Sequence, residues 1–328
     1  MSLLKKVDPI LTLPACLVGL IASKLNLKKG SERPLILRPG GLGDLILSQI
    51  AIENLGKSAQ AFDWLIEKRS EAWAKQNNLN YFCYDDGINW TRKIFGKYEL
   101  VINTEQLFGL SQAVGLLAKS SSGKIYSFAT NRGVFSSKKI PYDWQDSFEV
   151  DEFAKLFAVA LKLPPPPLFC DRKRTIPATD APLLGIAGLQ SPSRTFSVEQ
   201  LAAMIRPWSK GEKFKILAAP ADREFADHFL KLFPGQAEII AGKFSDACDA
   251  IARSERLFSV DGGMVHIATY FGVPTTAVFT SGRDKKWAPR AVGSESIFRA
   301  DLMCRPCTKF GQVPECPFNY ACKNLRIG

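Results

Sequence analysis

Only two histidines occur in the 328 residues, at positions 228 and 266, and none lies near the cysteines, so nothing in the chain suggests a catalytic zinc centre. No apolar run reaches the ~20 residues needed to span a bilayer. No basic run is interleaved with aromatics, which ranks nucleic acid last among partners. No internal repeat appears, and the only low-complexity stretch is Pro164-Pro165-Pro166-Pro167. Acidic residues are short in supply: Lys plus Arg number 43 against 32 Asp plus Glu, a net charge of +11. That balance suits an anionic partner such as a sugar nucleotide or an acidic lipid. The hydrophobic fraction of 46% and the charged fraction of 23% are those of a globular protein, which excludes a disordered or fibrous chain. The length allows two domains of about 150 residues each.

Strand and helix signals alternate through both halves. Pro34–Arg38, Phe62–Ile66, Leu100–Asn103 and Lys124–Phe128 read as buried strands, with a helix near Leu45–Leu55 and another near Phe153–Leu161. Four successive prolines cannot continue that last helix and set a stiff boundary. After them the alternation restarts with strands at Leu183–Ala187, Phe214–Ala218, Ala237–Ile240, Leu257–Val260 and Thr275–Phe279. Ser197, followed by Glu199 and Gln200, is expected to cap a helix that runs to about Trp208. The pattern predicts an α/β protein with two doubly wound parallel sheets. The divisions are an N-terminal helical segment at 1–30, a Rossmann-like acceptor domain at 31–163 and a Rossmann-like donor domain at 168–328 with a cysteine-rich tail.

In residues 1–30, Leu3, Leu4, Val7, Ile10, Leu11, Leu17, Val18, Ile21 and Leu25 recur at helical spacing, with Lys5, Lys6, Lys24, Lys28 and Lys29 around them. The stripe fits a helix packed on the first domain, or one lying on a membrane surface. An export signal fits less well, because Pro14 and Gly19 interrupt the apolar part.

Ligands of such sheets bind outside the carboxyl ends of the strands. Three loops stand there. After Leu37, the loop Gly40-Gly41-Leu42-Gly43-Asp44 holds half of a dinucleotide fingerprint, but position 46 is Ile where that motif needs Gly, which counts against a nicotinamide oxidoreductase. Asp44 is either a helix cap or a carboxylate acting as general base. After Val260, Asp261-Gly262-Gly263-Met264-Val265-His266 opens a helix whose first N–H groups can hold a phosphate. After Ala187, Arg194 can clamp a phosphate, and Gln190 and Ser191 can line the same pocket. Asp222 either caps a helix or approaches a nucleoside.

The run I-L-R-P-G-G-L-G-D-L-I-L-S at residues 36–48 resembles the opening of glycosyltransferase family 9, the ADP-heptose:lipopolysaccharide heptosyltransferases and their relatives. V-D-G-G-M-V-H-I-A-T-Y-F-G-V-P at 260–274 is similar to that family's second signature, an Asp-Thr-Gly-x-x-His-x-Ala pattern, with Gly262 in place of the threonine. Trp287-Ala288-Pro289 and Cys304-x-x-Cys307 resemble the family too. The chain stops six residues after Cys322, where family members often continue into a terminal helix.

The resemblance implies a GT-B architecture, two Rossmann-like domains facing a central cleft. It implies inverting, metal-independent transfer from a sugar nucleotide to a lipid-linked, anionic acceptor of lipopolysaccharide-core type, on the inner face of the cytoplasmic membrane. Asp44 would be the base, and Gly41 and Gly43 would shape the acceptor-side loop. Asp261, Gly262, Gly263, His266, Arg194, Gln190, Ser191 and Asp222 would bind the donor. A protein that binds the nucleotide without catalysis is the alternative on the same fold.

Cys16, Cys83, Cys170 and Cys248 are scattered and read as buried hydrophobes or free thiols, since a large α/β chain in a reducing cytoplasm needs no disulfides. Cys304, Cys307, Cys316 and Cys322 could bind structural zinc, form disulfides or remain free.

Overall fold

The apolar tetrads of each half become the central strands of two separate sheets in the computed structural model, which describes residues 3–25, 31–132, 135–186, 192–308, 313 and 315–325. Two units result: Met1–Asp143 with Glu149–Phe169, and Trp144–Phe148 with Cys170–Gly328. The first contains α1 (Leu3–Leu25), β1 (Leu35–Arg38), α2 (Leu42–Asn54), β2 (Asp63–Ile66), α3 (Glu71–Gln76), β3 (Asn80–Cys83), α4 (Asn89–Ile94), β4 (Tyr98–Asn103), α5 (Leu110–Ala118), β5 (Lys119–Phe128), β6 (Lys138–Ile140) and α6 (Glu149–Leu161). The second contains β7 (Leu183–Ile186), α7 (Val198–Ser209), β8 (Phe214–Ala218), α8 (Arg223–Leu230), β9 (Ala237–Ile240), α9 (Phe244–Arg253), β10 (Leu257–Val260), α10 (Gly263–Phe271), β11 (Thr275–Val278), α11 (Asp284–Trp287) and β12 (Glu295–Ile297).

Each sheet has six strands, in the orders β3-β2-β1-β4-β5-β6 and β12-β11-β10-β7-β8-β9. Every neighbouring pair is parallel. The winding reverses between β1 and β4 in one sheet and between β7 and β10 in the other, which creates a crevice at the carboxyl ends of each pair. Register brings those ends level: Leu37 lies opposite Asn103, and Ser259 opposite Gly185.

The expected two-sheet α/β architecture is present. Three strands went unpredicted, β3, β6 and β12, and all three are sheet edges. Edge strands need no two-sided apolar burial, and Lys138-Lys139-Ile140 and Glu295-Ser296-Ile297 carry none.

Leu35, Leu37, Val101 and Ile125 pack under α5 in the first unit. The second core is aromatic: Trp208 meets Phe258 edge-on at 5.5 Å, and Phe214 meets Phe233 likewise at 5.3 Å.

The first helix is built into the first unit. Its narrow inner stripe, Asp8, Thr12, Cys16 and Gly19, is buried against α5. A side chain at Gly19 would meet Ala113 O and Leu116 Cβ at 2.9 Å each, so the two helices approach closely there. The Asp8 carboxylate accepts from the backbone N–H of Gly109 (3.1 Å) and Leu110 (2.8 Å). It thereby caps an α5 that has no capping side chain of its own. Lys5, Lys6 and the other side chains of residues 3–7 lie outside the described positions, as do Lys28 and Lys29.

Candidate functional site

In the first unit the crevice between β1 and β4 is lined by charge. Arg38 ends β1 and is 2% exposed, an unusual position for a guanidinium. Its Nη1 donates to Thr104 O (3.0 Å) and Gln106 Oε1 (3.4 Å), and its Nη2 to Glu105 Oε2 (3.1 Å), all just past the end of β4. Gln106 donates in turn to Glu149 Oε1 (2.6 Å), whose carboxylate also accepts from the Tyr142 hydroxyl (2.8 Å). Burial alone would lower the Arg38 pKa, but the carboxylates of Asp44, Glu105 and Glu149 more than offset it, so the guanidinium is held above its ordinary value. The same surroundings push Tyr142 upward, first through burial and then through Glu149. The phenol therefore stays a neutral donor.

Asp44 is the third residue of α2. Gly41 is the N-cap and makes no side-chain bond, and Gly43 lies inside the first turn. The Asp44 carboxylate therefore does not cap the helix. It lies 3.8 Å from Arg38 Nη2 and is 33% exposed, so one side is held and the other is open. Gly40 is required for this arrangement, because a Cβ there would run into the Arg38 guanidinium.

In the second unit the crevice lies between β7 and β10. Gly185, in the middle of β7, lets the first turn of α10 settle on the strand, where a Cβ would meet Met264 Sδ at 2.5 Å. Asp261 leaves β10 buried, and Arg194 approaches from the β7 loop with Nη2 3.3 Å from Asp261 Oδ2. Neither Arg194 Nε nor Asp261 Oδ2 has a hydrogen-bond partner among the described residues, although both are buried. The ion pair leaves the hydrogen-bonding capacity of both atoms unfilled, which is costly in a buried place unless something bonds to them. Gly262 is the N-cap of α10 and Gly263 its first residue, with no capping side chain, and His266 is buried one turn in.

Asp222 stands at the carboxyl end of β8 and makes no capping bond to α8. The structure thus brings Arg194 and Asp261 together, places His266 on the helix after β10 and Asp222 past the end of β8, with β7 between those two strands, and leaves Gln190 and Ser191 outside the described residues. Ser197 caps α7 as expected, in a reciprocal box with Gln200 (3.2 and 3.0 Å).

Gly262 has φ 173° and ψ −172°, extended backbone open to any residue. A Cβ there would meet only Val260 O at 3.6 Å, so the lost threonine is not a matter of space. Gly282 differs, because a Cβ would strike the Asp261 carboxylate. Thermal melting is expected to place Gly262→Ala within ~0.5 kcal/mol of wild type and Gly282→Ala ~1–3 kcal/mol below it. Equal losses would contradict this packing.

The loop that carries Gly282 is fastened from the tail, which sequence reasoning missed. Arg305 donates to Thr280 O (2.6 Å) and Gly282 O (3.2 Å), and Thr308 Oγ1 to Ser281 O (2.7 Å). The Ser281 and Ser193 hydroxyls lie 3.0 Å apart and tie this loop to the one bearing Arg194. The available signal was Thr280-Ser281-Gly282 directly after a buried strand, in the position that Asp261-Gly262 occupies after β10.

None of the eight cysteines forms a disulfide, and Cys304 is exposed while Cys322 is buried. Among the described residues no three His, Cys, Asp or Glu side chains are placed to hold a metal, so the positions of the four tail cysteines do not support the zinc option. Burial raises the thiol pKa of Cys307 and Cys322, which favours neutral sulfur.

Residues 91–316 match the model of glycosyltransferase family 9 (heptosyltransferase). The chain belongs to this family. As a glycosyltransferase of family 9 it shares its fold with the E. coli heptosyltransferase WaaC solved with ADP, at 18% identity and TM-score 0.63, over 80% of this chain and 92% of that one. A family 9 glycosyltransferase from Veillonella parvula gives 16% identity and TM-score 0.64, over 83% and 87%. The E. coli ADP-heptose lps heptosyltransferase II gives 14% and 0.59, over 82% and 91%. No curated protein sequence matches at a significant level. Among the described residues of this glycosyltransferase, no helix is long and apolar enough to cross a membrane.

Proposed function

We propose that this glycosyltransferase moves a heptose, or a similar sugar, from ADP-heptose or another sugar nucleotide to an anionic, lipid-linked core oligosaccharide of lipopolysaccharide type. The reaction inverts the anomeric centre, uses no catalytic metal, and takes place at the inner face of the cytoplasmic membrane. Asp44 accepts the proton of the acceptor hydroxyl as that oxygen attacks the anomeric carbon. The carbon–oxygen bond to the diphosphate breaks on the opposite face, and the diphosphate leaves with the electron pair.

The developing charge on that leaving group is met by the N–H groups of Gly262 and Gly263 at the start of α10 and by the Arg194 guanidinium. This fixed positive charge does the work a divalent cation does elsewhere. His266 donates to a phosphate oxygen, Asp261 accepts from sugar hydroxyls, and Asp222, Gln190 and Ser191 complete the donor pocket. Gly41 and Gly43 shape the loop under the acceptor.

One observation carries the donor reading. Among the described residues, Arg194 Nε is a buried donor and Asp261 Oδ2 a buried acceptor without a hydrogen bond, Oδ2 being faced only by the Arg194 Nη2 of the ion pair, at the reversal point of the second sheet. A phosphate and a sugar hydroxyl supply the missing halves. WaaC of E. coli, similar in fold, has been solved with ADP and with ADP-2-deoxy-2-fluoro heptose, which supports an adenosine-diphosphate sugar.

A thermal-shift panel of ADP-heptose, ADP, UDP-glucose and GDP-mannose tests the assignment. A ligand present at 100 times its Kd should add about 2.7 kcal/mol to the stability of the folded state. ADP-heptose is expected to give the largest shift. Equal shifts across the panel would remove the donor assignment, and a specific shift without turnover on any acceptor would favour the non-catalytic reading.

A further inference from the structure

The amphipathic first helix is packed the opposite way from a core helix. Its buried stripe consists of small and polar residues with Leu20 partly buried beside it, whereas six of the large apolar side chains described on this helix point outward. Ile10 is 74% exposed, Val18 66% and Ile21 60%, and Leu11, Leu13 and Leu17 are exposed beside them. A helix needed only for packing would turn these residues inward. Single exposed leucines need no explanation, but six large apolar residues along three turns of one helix form a patch that a soluble monomer rarely presents.

Charge identifies what covers the patch. From Pro9 to Gly30 the sequence has no acidic residue, and Asp8, the one acid of α1, is turned inward as the α5 cap. Lys24 is exposed at the carboxyl end of the helix, and the sequence adds Lys5 and Lys6 before the patch and Lys28 and Lys29 after it. With both ends basic, a two-fold pairing of two copies through this face sets lysines against lysines in either direction, an unfavourable juxtaposition. A layer of anionic headgroups accepts both ends and takes the apolar residues between them. At about 1.5 Å per residue, Ile10–Ile21 spans some 17 Å, too short to cross a bilayer and suited to lying in its surface.

We propose that the outer face of α1 is a docking surface for an anionic lipid bilayer, on which the helix lies in the plane of the headgroups. Because Asp8, Thr12, Cys16 and Gly19 hold the same helix to α5, the whole first unit is carried on the membrane by a rigid attachment rather than a flexible tether. The inference does not depend on the donor assignment, since it is read without donor or acceptor.

The experiment is flotation of the full chain with vesicles of phosphatidylcholine containing about one third phosphatidylglycerol, compared with pure phosphatidylcholine, at low and high salt. Wild type is expected to float with the anionic vesicles, and less as salt rises. The variant Leu13→Gln/Val18→Gln/Ile21→Gln alters only exposed positions and keeps the Asp8 cap, so its melting point should match wild type while its vesicle binding falls at least tenfold. Equal binding by the variant, or no binding by wild type, overturns the proposal. Light scattering without vesicles supplies a further outcome: a wild-type dimer that the variant dissolves would assign the face to a second copy of the chain.

Discussion

Asp44→Asn is expected to lower kcat by about 10²–10⁴-fold, the range a positioned general base contributes, while the thermal shift produced by the donor nucleotide stays unchanged. The split follows from the placement of the residue. Asp44 belongs to α2 in the first unit, whereas Arg194 and Asp261, the pair assigned to the donor, belong to the second. Asparagine keeps the shape of the side chain and cannot take a proton. Its loss of charge removes one of three carboxylates around Arg38, and Glu105 remains 3.1 Å from the guanidinium, so the fold is not put at risk. A kcat within tenfold of wild type would refute Asp44 as the base.

The second large effect is on stability. Arg38 lies among the carboxylates of Asp44, Glu105 and Glu149, and Glu105 is nearly as buried as Arg38 itself. Removing one partner of a buried ion pair leaves the other charged and dry, at a cost of ~3–5 kcal/mol. Arg38→Met should therefore lower the melting point by ~6–20 °C, on a scale of 2–4 °C per kcal/mol. Arg38→Lys keeps the charge but loses the forked donation to Thr104, Glu105 and Gln106, and should fall between the two. A melting point unchanged in Arg38→Met would show that the carboxylates do not need this cation.

Sequence reading located the two crevices because each is marked by an acid directly beside glycines after an apolar run, as in Gly43-Asp44 and Asp261-Gly262. It did not find what holds those acids. Arg38 reads as the polar end of a strand, and its partners lie 66 to 68 residues away, where no spacing rule reaches. The central strands were legible because burial on both faces demands continuous apolar residues, and three of the four edge strands were not because nothing demands it of them, the fourth, β9, being marked by Ile239-Ile240. The N-terminal helix was legible as a stripe, but a stripe does not say which neighbour it faces. Orientation was decided by the opposite side, where Gly19 and Cys16 allow close approach and Asp8 finds two backbone donors more than a hundred residues away.

The fastening of the Thr280–Gly282 loop by Arg305 and Thr308 has a consequence for how this protein tolerates change. Neither residue belongs to a strand or helix, so damage there leaves both sheets whole. What it releases is the loop that presses Gly282 against Asp261 and links Ser281 to Ser193. If Asp261 holds the donor as proposed, substitutions in the tail would surface as weakened nucleotide capture in a chain that still folds and melts almost normally, more than forty residues downstream of the carboxylate whose position they disturb.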